Sequence, residues 1–298
     1  MWGAERRPSV QERASIPFRT GLATGLAIVA AGPSRAALLG APEQGQVGFL
    51  PANSPVASDI QWLHNAILLP VTVGISLLVL FLLAYVVFRF NENAHPTPTR
   101  TTHNRPLEIA WTVLPALVLV IVAVPSFRLL TQQLVIPEPE LTIKATASQW
   151  HWTYAYPKTA GGFSYDSIVK EDKDLAPGDI RLLSVDNAAY VPVGKVVEID
   201  VVSQDVIHSF SIPSFGVKID AVPGRLNKAW FKAGQEGVFY GQCSNICGID
   251  HAFMPIEFHV VSQQVYDAWL EKAKKAFASA GGADLAAAAP SARAPLKP

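Results

Sequence analysis

Two uninterrupted apolar segments constrain this chain more than any other feature. Ala66 to Phe88 contains no Asp, Glu, Lys or Arg, and Ile109 to Phe127 is equally free of charge between Glu108 and Arg128. A helix rises about 1.5 Å per residue, so roughly 20 apolar residues cross the hydrocarbon core of a bilayer, and each segment is long enough. Both contain proline (Pro70, Pro115, Pro125), which membrane helices tolerate because neighbours satisfy the freed carbonyls. The pair reads as a two-helix transmembrane hairpin. Its connecting loop carries Arg89, Arg100 and Arg105 against Glu92, and the excess of positive charge places that loop in the cytoplasm. Both ends of the mature protein then face outward. The composition agrees: 50% of the 298 residues are hydrophobic and 16% charged, against roughly 25% charged in ordinary soluble domains.

The remaining chain divides around this hairpin. Residues 1–36 carry Arg6, Arg7, Arg13 and Arg19, then an apolar run from Gly21 to Ala31, then small residues, which is the order of a secretory signal peptide. Residues 37–58 form a mature N-terminal segment, 59–135 the hairpin, and 136–264 a region of short β-rich runs broken by Gly, Pro, Asn and Asp. These runs include Leu141 to Tyr156, Ile180 to Val185, Val196 to Val202, Ala229 to Phe231, Gly237 to Gly241 and Ile256 to Val261. No long helical repeat interrupts them, so the sequence predicts a small antiparallel sandwich or barrel. Residues 265–298 follow as a C-terminal helix and an Ala/Pro-rich tail of disordered composition. The helical pattern itself spans Gln263 to Ala278, with Trp269 and Phe277 on its apolar side.

Charge narrows the function. The chain has 24 basic and 24 acidic residues, and no long basic run exists to neutralise a phosphate backbone, which excludes nucleic acid as a partner class. Residues 132–264 hold 10 Lys plus Arg against 15 Asp plus Glu, a formal charge of −5. The outward-facing domain is acidic although the whole chain is neutral.

The chemistry concentrates in Gly241-Gln242-Cys243-Ser244-Asn245-Ile246-Cys247-Gly248-Ile249-Asp250-His251-Ala252-Phe253-Met254. Two thiols, an imidazole and a thioether fall within a dozen residues, and His208 adds a second imidazole from the run Asp205 to Phe210. Only these two cysteines occur, which excludes a multi-disulfide scaffold, a haem-attachment C-x-x-C-H and a four-cysteine cluster. Thiolate, imidazole and thioether are soft and borderline ligands that select copper over magnesium or calcium. A mononuclear blue-copper site needs two His, one Cys and a weak axial Met, so one cysteine is left over. Two thiolates at C-x3-C can instead bridge two copper ions, leaving one His for each. The alternative is a Cys243–Cys247 disulfide in a membrane-tethered, copper-free binding or assembly module.

The motif C-S-x-I-C-G-x-x-H-x-x-M, the run Asp205 to Phe210 and the segment Gly216 to Asn227 resemble subunit II of bacterial haem-copper cytochrome c oxidases. The likeness extends from about Val56 through Val261. It implies a two-helix transmembrane hairpin followed by an all-β, cupredoxin-like Greek-key barrel, seated in the bacterial inner membrane with its C-terminal domain in the periplasm. It further implies a dinuclear copper (CuA) centre held by His208, Cys243, Cys247, His251 and Met254 with the main-chain carbonyl of Asn245. Electrons would come from cytochrome c and pass to haem in subunit I, where oxygen is reduced to water with proton translocation. Subunits I and III and membrane lipid are the further partners implied.

At position 245 the family usually has glutamate, whose side chain resembles a ligand to an interfacial magnesium ion. An amide lacks the charge a hard divalent cation prefers, so Asn245 counts against that magnesium site and leaves the copper site untouched. The alternating run Gln149 to Tyr156 places Trp150, Trp152, Tyr154 and Tyr156 on one strand face. The resemblance makes Trp150 the residue where electrons enter, and leaves Asp166, Asp186 and Asp220 as acidic candidates for meeting a basic cytochrome. Glu108 suits a helix N-terminus by charge, and the resemblance matches it to the entrance of a proton-uptake path. His259 is expected at the surface. His64, His95, His103 and His151 have no partner pattern that argues for metal.

Overall fold

A computed structural model describes residues 40–97 and 99–277. The expected signal peptide and the Ala/Pro-rich tail lie outside the described residues. Helix α1 (Pro55–Trp62) starts where Ser54 accepts a hydrogen bond from the Ala57 N–H at 3.0 Å and Pro55 supplies a ready-made first helical turn. It continues through a widened π-type stretch, Leu63–Leu68, into α2 (Leu69–Arg89). Pro70 lies two residues beyond the end of this stretch; having no N–H, it cannot bond the carbonyl of Ala66 within it, which is where a helix widens or kinks.

Helix α3 (Arg105–Leu134) is capped by Asn104, whose side chain accepts from Leu107 N–H at 3.2 Å, with Pro106 in the first turn. The two rods are 35 and 30 residues long, more than the roughly 20 that cross a bilayer. The first therefore begins well before the predicted apolar segment. Its surplus turn, with polar Ser58, Asp59 and Gln61, rests on the β domain: Val56 and Ala57 are buried, and a side chain at Gly216 would strike the Ala57 backbone at 2.9 Å.

The β domain consists of ten strands: β1 (Leu141–Ser148), β2 (His151–Ala155), β3 (Ser164–Ser167), β4 (Ala189–Pro192), β5 (Val196–Ser203), β6 (His208–Ile212), β7 (Val217–Ala221), β8 (Asn227–Lys232), β9 (Gly237–Cys243) and β10 (Pro255–Val261). They form two five-stranded sheets, β3-β2-β1-β5-β8 and β4-β10-β9-β6-β7. The all-β, cupredoxin-like character is as expected, but two pairings, β1 with β5 and β4 with β10, are parallel. Alternation in sequence reveals which face a residue takes and is blind to strand direction.

Ile180 to Val185 is not a strand. The chain there turns, with Leu183 and Ser184 N–H groups both returning to the Ile180 carbonyl and Leu182 at positive φ, and only Val185 bridges to Val169. Leu141 to Tyr156 is likewise two strands joined at Gln149-Trp150, where Ser148 pairs with His151.

Between the sheets lies an aromatic core. Trp152, Phe210, Phe231, Phe239 and Phe258 are fully buried, with Trp152 edge-on to Phe210 at 5.3 Å and Phe215 stacked on Phe231 at 4.3 Å. The C-terminal helix α4 (Gln263–Phe277) closes one side, as its pattern predicts: Trp269 stacks on Tyr190 at 4.7 Å and Phe277 on Tyr165 at 4.7 Å. His259 departs from a bare surface position. Its Nε2 is 2.7 Å from the buried Glu257 and its ring lies on Tyr190 at 4.6 Å.

Candidate metal centre

The sulfur and nitrogen groups converge because β6 and β9 are neighbours in one sheet, with Phe210 opposite Cys243 in the register. His208 opens β6, Cys243 ends β9, and the connection to β10 carries Asn245, Cys247, the turn His251–Phe253 and Met254. This connection is laced to its surroundings. Cys243 N–H donates to the Met254 carbonyl at 3.1 Å and Ser244 N–H to the Ser209 carbonyl at 3.0 Å. These bonds tie the connection to the end of β9 and to β6.

The two sulfurs lie 3.8 Å apart, unbonded to one another, in side chains that are both buried. His208 Nδ1 is 3.9 Å from Cys243 Sγ, and His251 Nδ1 is 3.5 Å from Cys247 Sγ. The Asn245 carbonyl oxygen is 3.3 Å from Cys243 Sγ. Among the described residues His208, Cys243 and Cys247 form a cluster whose ligand atoms all fall within 4.8 Å. Met254 is buried, and its main chain is bonded to Cys243. The six expected residues thus gather at one place.

Burial pushes the Cys247 thiol up to about 12, and the adjacent Cys243 sulfur adds to the shift. Two thiolates this close and this dry repel each other, so a cation is what lets both ionise. A soft, multiply charged metal meets that need, and the donor set fits copper by type: two thiols, two imidazoles, one thioether and one carbonyl. For a hard divalent cation such as magnesium the donor at position 245 is a poorer one. Asn245 offers a neutral amide, and its main-chain oxygen is turned toward Cys243.

Sequence reasoning missed two supports. Asp205 Oδ1 is 2.8 Å from His208 Nε2, and its Oδ2 accepts the Gln149 N–H at 2.6 Å. Burial alone would raise the Asp205 carboxyl, but the hydrogen bonds from His208 and the Val206 and Gln149 amides outweigh it and hold the group below the ordinary carboxylate range. The Gln149 side chain in turn donates to the Cys247 carbonyl at 2.7 Å. The only sequence signal for Asp205 is its place three residues before His208; for Gln149 there is none.

Trp150 does not continue the aromatic face of β2. It stands in the β1–β2 turn, half-buried, against Gly248 beside Cys247. Trp152, Tyr154 and Tyr156 face the core. Of the acidic candidates, Asp186 accepts the Ile168 N–H and Asp166 the Thr153 hydroxyl, while Asp220 is exposed on β7. Glu108 accepts the Asn104 N–H at 3.1 Å, at the N-terminus of α3.

Sequence comparison agrees with this arrangement. Residues 141–261 match the family described as cytochrome c oxidase subunit II, periplasmic domain, and residues 42–129 match its transmembrane domain. The chain is 44% identical over 277 residues to cytochrome c oxidase subunit 2 of Cereibacter sphaeroides, covering 86% of this chain and 91% of that one. It is 44% identical over 242 residues to a probable cytochrome c oxidase subunit 2 of Rickettsia bellii, covering 81% and 89%. The crystal structure of the periplasmic domain of subunit II of the Bradyrhizobium japonicum cytochrome oxidase is 55% identical and covers 48% of this chain and 99% of that one, with a TM-score of 0.45. With membrane helices, β domain and relatives in accord along most of its length, the chain belongs to the cytochrome c oxidase subunit II family.

Proposed function

We propose that this chain is the subunit through which electrons enter a cytochrome c oxidase. It takes them singly from cytochrome c at a dinuclear CuA centre and delivers them to haem in subunit I, where oxygen is reduced to water with proton translocation. The observation that carries the reading is the pair of buried, unbonded sulfurs 3.8 Å apart, with an imidazole nitrogen near each. His208, Cys243, Cys247, His251 and Met254 would hold the metal, with the Asn245 carbonyl as a sixth donor. A copper pair bound there supplies one-electron redox chemistry with its charge spread over two nuclei.

The protein's own part is positioning and protection. The β6–β9 register sets His208 beside Cys243, Asp205 orients the His208 ring, and the buried Met254 is tied to Cys243 through its main chain. Trp150, half-buried above Gly248, is where electrons would enter. The net negative charge of residues 132–264 suits a basic donor and speeds encounter at low salt. The exposed apolar helices suit lipid and the membrane subunits I and III. The periplasmic face of a bacterial inner membrane is the location that fits the arginine-bearing loop between α2 and α3. Glu108 as the mouth of a proton path rests on the family resemblance, beside its observed contact as a helix cap.

Electron paramagnetic resonance of the copper-loaded protein tests the reading. A seven-line hyperfine pattern with two coppers per chain supports it. A four-line pattern, or no copper with a Cys243–Cys247 disulfide, overturns it in favour of a mononuclear site or a copper-free module.

A further inference from the structure

The hydrogen bonds of one turn residue reach both halves of the metal centre. Gln149 is exposed at the β1–β2 turn, yet its main-chain N–H donates to Asp205 Oδ2 at 2.6 Å and its side-chain amide donates to the Cys247 carbonyl at 2.7 Å. Asp205 holds His208 through its other oxygen. A single residue therefore joins the carboxylate behind one imidazole to the peptide that carries one thiol. These ligands come from different parts of the chain, β6 and the β9–β10 connection, and no backbone ladder pairs the β1–β2 turn with either.

The neighbouring ring depends on the same contact. Trp150 lies over Gly248 so closely that a Cβ there would stand 2.8 Å from its Cζ2 and 3.0 Å from Gln149 Nε2. Gly248 has φ +135°, a conformation open to glycine and strained for other residues. The indole Nε1 is buried with no hydrogen-bond partner in the structure, so no polar bond of its own side chain fixes the ring. Its place is set by packing and by the turn that Gln149 anchors.

We propose that Gln149 is a positioning residue: its amide clamps the Cys247–Gly248 peptide and thereby holds Trp150 and the Cys247 sulfur in one rigid unit with His208. The proposal rests on the copper-centre reading for its functional consequence, but the clamp itself is a property of the metal-free chain. Supports of this kind behind metal ligands are worth about 10- to 100-fold in metal affinity or activity.

The test uses the full-length chain in detergent with Gln149→Met, which keeps the length and removes the donor, and Gln149→Asn, which keeps the amide but shortens it by one methylene. In the metal-free protein, alkylation of Cys247 followed by mass spectrometry should be faster in both variants than in the parent, with circular dichroism unchanged. In the copper-loaded protein both should lose copper to a chelator about 10- to 100-fold more readily and show altered hyperfine and charge-transfer bands. Parental alkylation rates in both variants overturn the clamp, whether or not copper binds. A parent chain that binds no copper pair while the variants still alkylate faster sinks the copper-centre reading and leaves the clamp standing. If Gln149→Met fails to fold, Gln149→Asn alone decides.

Discussion

Asp205 and His208 share a 2.8 Å hydrogen bond between Oδ1 and Nε2. A carboxylate only accepts, so Nε2 is the donor of this bond and Nδ1 is the nitrogen left beside Cys243. Replacing Asp205 with alanine frees the ring to rotate and leaves the Gln149 N–H without its partner. Copper affinity should fall by about 10- to 100-fold, measured by chelator competition. Asp205→Asn, which can still accept from Nε2 but lacks the charge, should fall less. Equal affinity in Asp205→Ala and the parent would refute the orienting role.

Gly241 lies where β9 runs against β6. A Cβ at this position would stand 2.0 Å from the Ser211 carbonyl oxygen, and that atom is backbone, so the strands must part. Gly241→Ala should cost about 1–3 kcal/mol or more in chemical denaturation. It should also weaken copper binding, because the displaced strands are the ones that bring His208 to Cys243. Loss of stability with full copper affinity would show that the register tolerates the shift.

Lys170 and Asp179 pair at 2.8 Å in the long β3–β4 connection. The hydrogen bond from Lys170 holds the Asp179 carboxyl below the ordinary carboxylate range, and the same bond raises the Lys170 ammonium above the usual lysine range. A lowered acid contributes stability above its unfolded value and loses it as pH falls through the folded one. A raised base contributes below its unfolded value and loses its share as pH rises through the folded one. The pair is therefore complete across the neutral range and fails at both extremes. Both groups are partly solvated, so the contribution is at most about 1 kcal/mol at low salt. Asp179→Asn should flatten the acid limb of a pH–stability profile, and a variant whose acid limb matches the parent's would disprove the assignment.

Phe258 stands at the centre of the aromatic core, with ring centroids 5.7 Å from Tyr154, 6.0 Å from Phe210 and 5.9 Å from Phe231. Phe258→Ala empties that space and should cost about 3–5 kcal/mol, seen as a lowered denaturation midpoint. A cost near zero would mean that the two sheets close over the gap.

Much of this was legible because each signal had one physical solution. Charge-free runs such as Ala66 to Phe88 have few homes other than lipid, and two thiols, an imidazole and a thioether in one motif, with a second imidazole upstream at His208, are donors of the kind a soft metal takes. The unread parts have several solutions in sequence. Val196 to Ser203 looks the same beside a parallel or an antiparallel neighbour, so the β1–β5 pairing was invisible. Trp150 shares the parity of Trp152, yet a two-residue turn removes it from the strand and sets it against Gly248. Ile180 to Val185 is apolar enough for a strand, but its backbone bonds are spent in a local turn. Gln149 acts through contacts 56 and 98 residues away in the chain, which no local pattern encodes.

The attachment at Asn53 has a mechanical outcome. Its main chain bonds Ser214 and Gly234, and its side chain exchanges two hydrogen bonds with Gln235. Ser54 holds the Phe215 carbonyl, and at the other rod Trp230 Nε1 donates to the Gln132 carbonyl at 3.3 Å. Both rods are thus pinned to the head at their outer ends, like a bracket with two legs rather than a ball on a string. The height of the sulfurs above the two apolar rods is set when the chain folds, and in the proposed role charge would cross a constant gap instead of riding on a swinging arm.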